Sequence, residues 1–328
     1  MLREKNIVKF VSNSSFMRPG YYIAVDPRRK LVILGIRGTQ TVYDLITDII
    51  SSGGEELNFE GYLTHFGTTE AARWFLANEI STIRSLLGKH EGFKLRLVGH
   101  SLGAATASLL AIMLRKQSQD ALGFSPDIVS AVGYATPPCV SKELAESCSD
   151  FVTTTVMQDD VVPRLSAASL ERLRNDIVQT DWSKIIERED WKRVVGLVTN
   201  AKQVAASVQD VARKLADYAS FGNSDSRRKL ADDEVSRAPA KERCRITDEL
   251  YVPGSVYFLK REVGGSAGGG DGRRCDFFVL LKRPPREHFQ RIVLSGNVIS
   301  DHKCDSHYYA LRDAMKDFPC TTSDCLFG

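Results

Sequence analysis

Between residues 21 and 164 the chain alternates short β-rich runs with longer segments of helical period. The runs at 21–25, 31–36, 95–98, 128–134 and 152–157 read as strands, and the stretches at 69–87, 102–116 and 141–147 read as helices. Strands apolar on both faces and separated by helices predict a mostly parallel central sheet with helices on both faces. From 165 to 218 the pattern stays helical. Val194, Leu197, Ala201, Val204, Val208, Val211, Leu215 and Tyr218 step by three and four residues there, like a coiled-coil seam. Val198, Ala205 and Ala212 widen that stripe to the width of an ordinary core-facing helix. The polar segment at about 222–242 and the Gly-rich segment at about 264–272 read as flexible loops. The second of them joins strands at 250–261 and 276–282 into a hairpin, and 308–315 reads as a closing helix. The first ten residues read as part of a helix. With 328 residues, 43% of them hydrophobic, the chain has enough apolar surface for one large domain spanning 1–328.

Charge narrows the partners. Forty-four basic residues nearly balance 41 acidic ones, and no block of like charge forms an arm for nucleic acid, so none is expected as a partner. The short basic runs Arg227-Arg228-Lys229 and Arg273-Arg274 sit among Gly, Ser and Asp and read as solvated loop charges. Seven cysteines without Cys-x-x-Cys spacing argue against both a secreted disulfide framework and a zinc site. Neither a signal-peptide pattern nor an apolar run of about 20 residues is visible, which points to a cytoplasmic protein whose contact with any lipid would be from the surface. No motif calls for a metal or a cofactor.

Gly99-His100-Ser101-Leu102-Gly103 fits G-x-S-x-G, a pentapeptide common by chance, so its setting has to decide. Leu95-Arg96-Leu97-Val98 precedes it and reads as a buried strand, and an Ala/Leu-rich helix starting at Leu102 follows. Strand, tight turn and helix are what a nucleophile elbow requires, with flanking glycines leaving room for close approach. Ala104, Ala105, Thr106 and Ala107 are small enough for that helix to lie near the sheet. The alternative, a serine at an ordinary helix N-terminus, explains neither glycine.

A serine hydroxyl needs a base, and the base needs an orienting acid; in this type of fold they follow in the order Ser, Asp or Glu, His. Gln158-Asp159-Asp160 comes just after the strand at 152–157, where such an acid sits. Asp159 and Asp160 both qualify. Of six histidines, only His302 and His307 come late enough to be the base, and sequence order does not choose between them. His100 reads as spent inside the elbow, pointing away from the reaction.

The strand at 31–36 ends in Arg37-Gly38-Thr39-Gln40, which can offer the Thr39 amide, with its hydroxyl, to an oxyanion. The Leu102 amide is the second donor. Next, Val42, Leu45, Ile46 and Ile49 form one apolar stripe opposite Asp44, Thr47 and Asp48, and Ser51-Ser52-Gly53-Gly54 supplies a hinge-like turn. That pattern suits equally a plain core helix and a lid lying apolar side down until a lipid surface lifts it.

Taken together, Arg37-Gly38-Thr39 with its short helix, Thr64-His65-Phe66-Gly67, Gly99-His100-Ser101-Leu102-Gly103 and Asp160-Val161-Val162-Pro163 resemble the class 3 lipases. Ser300-Asp301-His302 resembles the closing motif of the plant-type, sn1-specific diacylglycerol-lipase-like members. The resemblance implies an α/β-hydrolase fold and a triad of Ser101, Asp160 and His302. It also implies oxyanion donors at Thr39 and Leu102, a lid at 41–50 and hydrolysis of diacylglycerol or triacylglycerol esters at a membrane or lipid-droplet surface. Two rival readings are a phospholipase or galactolipase on the same scaffold, and a lipase-like interaction protein that kept the fold without the chemistry.

Overall fold

The structure, a computed structural model, describes residues 2–14, 17–38, 56–179, 249–263, 276–284 and 289–316. Expectations for the 194–218 helix, the 222–242 and 264–272 loops and the 41–50 lid lie outside these residues. Nearly all described residues fall in one compact unit, Met1–Arg174 with Thr247–Gly328; a second unit covers Asn175–Ile246.

An eight-stranded sheet organises the first unit. Its strands are β1 (Ile7–Val11), β2 (Tyr21–Asp26), β3 (Leu31–Ile36), β6 (Lys94–His100), β7 (Val129–Tyr134), β8 (Val152–Met157), β9 (Ser255–Val263) and β10 (Asp276–Arg283), and that is also their spatial order. The pairings from β3 through β9 are parallel, whereas β1–β2–β3 and β9–β10 are antiparallel edges. A separate hairpin pairs β4 (Glu56–Phe59) with β5 (Tyr62–His65). The helices are α1 (Phe66–Asn78), α2 (Ile80–Lys89), α3 (Leu102–Arg115), α4 (Gln119–Leu122), α5 (Lys142–Ser147), α6 (Ala167–Gln179) and α7 (Cys304–Ala314).

The apolar runs become strands because both of their faces are covered. Neighbouring residues in β8 and β9 enter different cores, as strand periodicity demands. Val156 and Phe258 pack with Phe289 on one face; Met157 and Leu259 pack with Ala310 and Ala314 of α7 on the other. The centre is α3, whose residues from Gly103 to Leu114 are all buried and which packs on β6, β7 and α1. The architecture is therefore the expected α/β-hydrolase type, with a sheet parallel at its centre and covered on both faces.

Three local expectations differ. Residues 7–11 form an edge strand rather than part of a helix; Val8 and Phe10 stay exposed, so no alternating buried face marked them. The single helix expected at 69–87 is two, because Glu79 turns inward between them to accept from the Tyr21 hydroxyl at 2.6 Å and pair with Lys9 at 2.7 Å. The β4–β5 hairpin was not expected. Its turn residues Glu60 and Gly61 both have positive φ, a conformation a glutamate seldom signals.

Candidate active site

Ser101 sits between β6 and α3 with φ 58° and ψ −132°, outside the ordinary regions for a non-glycine residue. The surroundings fix that conformation. The Ser101 amide donates to the Tyr134 carbonyl at 2.9 Å, and its carbonyl accepts from the Ala104 amide at 2.9 Å. The glycines allow the approach: a Cβ on Gly99 would collide with the Gly103 carbonyl, and one on Gly103 with the Ile36 carbonyl. Gly38, at the end of the β3 segment, lies so close that an added Cβ would stand 2.6 Å from the His100 carbonyl oxygen. The segment leading to Thr39 therefore runs beside Ser101, while Thr39 itself lies outside the described residues, as do Val42, Leu45, Ile46 and Ile49. Leu102 opens α3, so its amide has no partner within the helix.

The structure separates the two aspartates. Asp160 is fully buried, and its Oδ1 accepts from the Val162 amide at 3.0 Å and faces His302 Nδ1 at 3.1 Å. Asp159 points elsewhere and accepts from the Ser295 hydroxyl at 2.8 Å. The two late histidines are likewise distinguished. His302 meets one oxygen of Asp160 at hydrogen-bond distance, whereas His307 Nε2 stands 3.9 Å from the other, Oδ2. His307 Nδ1 lies 3.1 Å from the Lys303 carbonyl, which can only accept, so the proton sits on Nδ1 and Nε2 presents a lone pair. Ser101 Oγ is buried and makes no hydrogen bond among the described residues, so the Ser101–His302 link is not closed; such bonds often tighten only around substrate.

Comparison with known proteins shows what this chain resembles. Residues 33–170 match the class 3 lipase family. That match takes in less than half of the 328-residue chain. The chain is 34% identical over 167 residues to mouse diacylglycerol lipase-beta, covering 48% of this chain and 24% of that protein. It is 33% identical over 190 residues to human diacylglycerol lipase-alpha, covering 54% of this chain and 17% of that protein. The match thus spans a quarter or less of the length of these relatives. Among solved structures, a Rhizomucor miehei triacylglyceride lipase aligns with a TM-score of 0.44 at 21% identity, over 50% of this chain and 61% of that one.

Within this candidate site several contacts were not legible in the sequence. His100 does not point away from the site: its Nε2 donates to the His302 carbonyl at 2.6 Å, and the two rings lie 4.8 Å apart. The reason is the strand register. His100 is the last residue of β6, and its side chain crosses to the closing loop. Burial, with His302 nearby, lowers its pKa from 6.5 to about 4, so it stays neutral and serves as a donor. Asp301, also buried, accepts from the Asp159 amide at 3.1 Å and from Arg261 Nη2 at 3.2 Å. Its pKa is raised by burial, against the pull of that amide and of Arg261. The Asp301-His302 sequence is thereby tied to both β9 and the acid loop. His65, of the Thr64-His65-Phe66-Gly67 motif, caps α1 by accepting from the Thr68 amide at 3.4 Å, and burial lowers its pKa to about 4. Among the described residues no group of three or more His, Cys, Asp or Glu could hold a metal ion.

Proposed function

We propose that the chain is a serine lipase that hydrolyses acylglycerol esters through an acyl-enzyme, with Ser101 as nucleophile, His302 as base and Asp160 as the orienting acid. The supporting observation is the buried Asp160–His302 contact at 3.1 Å in a site whose serine occupies a strained, glycine-flanked turn. With Nδ1–H donated to Asp160, His302 Nε2 keeps a lone pair able to take the proton of Ser101 Oγ. The alkoxide attacks the ester carbonyl, and the negative oxygen is received by the Leu102 and Thr39 amides. His302 returns the proton to the departing glycerol oxygen. Water, deprotonated by His302, then releases the fatty acid and restores Ser101. Asp160 holds the imidazole tautomer and stabilises its charged form. Each oxyanion donor is expected to contribute a few kcal/mol.

The substrate class follows the relatives, which are named diacylglycerol lipases. Such a substrate lies in a membrane or droplet, so the enzyme would work in peripheral contact with that surface, with 41–50 as its lid. Among the described residues no helix is long and apolar enough to cross a membrane. The test is fatty-acid release from emulsions of diacylglycerol, triacylglycerol, phospholipid and galactolipid. Diacylglycerol should be cleaved fastest and Ser101→Ala should cleave none. Faster phospholipid or galactolipid cleavage would reassign the substrate, and no cleavage of any would remove the proposal.

A further inference from the structure

Beside the acid loop, on the sheet face opposite α7, lies a cavity of about 320 Å³. Its walls carry four cations, Arg164, Lys260, Arg283 and Arg291, against one carboxylate, Asp159, with Phe258 as an apolar wall. The register of the edge hairpin explains the convergence. Arg283 pairs across from Val256, and Val256, Phe258 and Lys260 alternate along β9, so both cationic side chains leave the sheet on the face that Phe258 occupies. Arg164 comes from the turn after Asp160. It is buried, donates from Nη2 to the Gln158 carbonyl at 3.1 Å and stacks its guanidinium 5.2 Å from the Phe289 ring centre. Arg291 is exposed at the mouth.

The two outer arginines, Arg283 and Arg291, are not balanced within the described residues. Lys260 pairs with Glu262 at 2.6 Å. Arg283 and Arg291 make no ion pair there, and Arg283 Nε is buried without a hydrogen-bond partner. The lone carboxylate, Asp159, already accepts from the Ser295 hydroxyl. Like charges gathered around a partly desolvated space repel one another, and a buried donor left unmade costs about 1–3 kcal/mol. An anion with several acceptor oxygens relieves both. Guanidinium forks match the oxygens of a phosphate two at a time, and a phosphate monoester carries more of the charge these cations call for than a carboxylate does.

We propose that this cavity binds a phosphate monoester or inorganic phosphate, held by Arg283, Arg291 and Lys260 over the buried Arg164. The ligand is the exposed phosphate of a lipid headgroup or phosphate free in solution. The site does not depend on what Ser101 does, because it is assayed by binding alone.

The experiment uses the full chain. Its co-sedimentation is measured with phosphatidylcholine vesicles carrying phosphatidylinositol phosphate, and with charge-matched vesicles carrying phosphatidylserine. Inorganic phosphate is titrated separately by calorimetry. Binding should fall at least about tenfold in Arg283→Gln/Arg291→Gln. Arg291→Glu, whose exposed side chain supports no core, should lose binding while keeping the melting temperature of the wild type. Tight vesicle binding with weak inorganic phosphate binding identifies a lipid headgroup; comparable affinity for inorganic phosphate identifies a free ligand. Equal binding to phosphatidylserine vesicles, binding of neither phosphate probe, or variants that bind like the wild type would overturn the proposal.

Discussion

The two walls of the candidate site are held in different ways. The elbow wall is fixed by local sterics: the Ser101 backbone is held by neighbours within a few residues and by the Tyr134 carbonyl, and Gly99 and Gly103 have no room for a side chain. The closing wall is fixed by side chains reaching across long stretches of sequence. Asp301 ties the Asp159 amide 142 positions away, Arg261 holds Asp301, and His100 holds the His302 carbonyl from 202 positions away. A wall built on close backbone contact fails abruptly when a single Cβ is added. A wall built on a network should lose function in steps, as each bond is removed.

The sharpest contrast lies inside the closing wall, between the two histidines that face Asp160. If His302 is the base, His302→Ala should lower ester hydrolysis about 10³–10⁴-fold or more, with Asp160→Asn in the same range. His307→Ala should stay within about tenfold of wild type, since it removes no hydrogen bond to the carboxylate. Steady-state rates on one soluble ester decide, and reversed magnitudes would make His307 the base.

The elbow should break next. Gly103→Ala drives a Cβ into the Ile36 carbonyl, and overpacking of that kind costs about 1–3 kcal/mol. The expected result is a lower urea midpoint and activity lost with it; a variant that keeps both would show that the elbow is looser than described. On the network side, Arg261→Ala leaves the buried Asp301 carboxylate without its cation and should cost about 2 kcal/mol at neutral pH. Activity should be reduced rather than abolished. Because burial already raises the Asp301 pKa, the penalty should shrink as acid protonates that group, which unfolding curves at two pH values would reveal.

The smallest effect concerns the buried neutral histidines. Burial lowers the pKa of His65 and of His100 from 6.5 to about 4, and lowers that of His307 as well. Between those values the unfolded chain binds protons that the folded chain refuses. Their contribution to stability is therefore complete above pH 6.5 and is lost as pH falls towards 4. His100→Gln retains a donor for the His302 carbonyl and should flatten the slope in that window. An unchanged slope would mean that His100 is not the neutral donor described.

These contrasts also explain what the sequence revealed. The elbow was legible because its constraint is local: the glycines, the apolar strand and the small residues of α3 lie within twenty positions of Ser101. The parallel core was legible because its strands are short β-rich runs set between segments of helical period. The closing wall was only partly so. Its aspartates and histidines were visible as candidates, but which carboxylate turns inward depends on a loop whose partners, Ser295, Asp301 and Arg261, are more than a hundred positions away. His100 was misread for the same reason, since its partner belongs to that distant loop. The β4–β5 hairpin escaped because Glu60 takes a positive φ without the usual Asn or Asp.

The central claim is that Ser101 is an activated nucleophile, and reaction of the purified chain with a fluorophosphonate, followed by peptide mass spectrometry, tests it most directly. One adduct is expected, on Ser101, absent from Ser101→Ala and strongly slowed in His302→Ala. An unlabelled wild type, or equal labelling of Ser101→Ala, would contradict it.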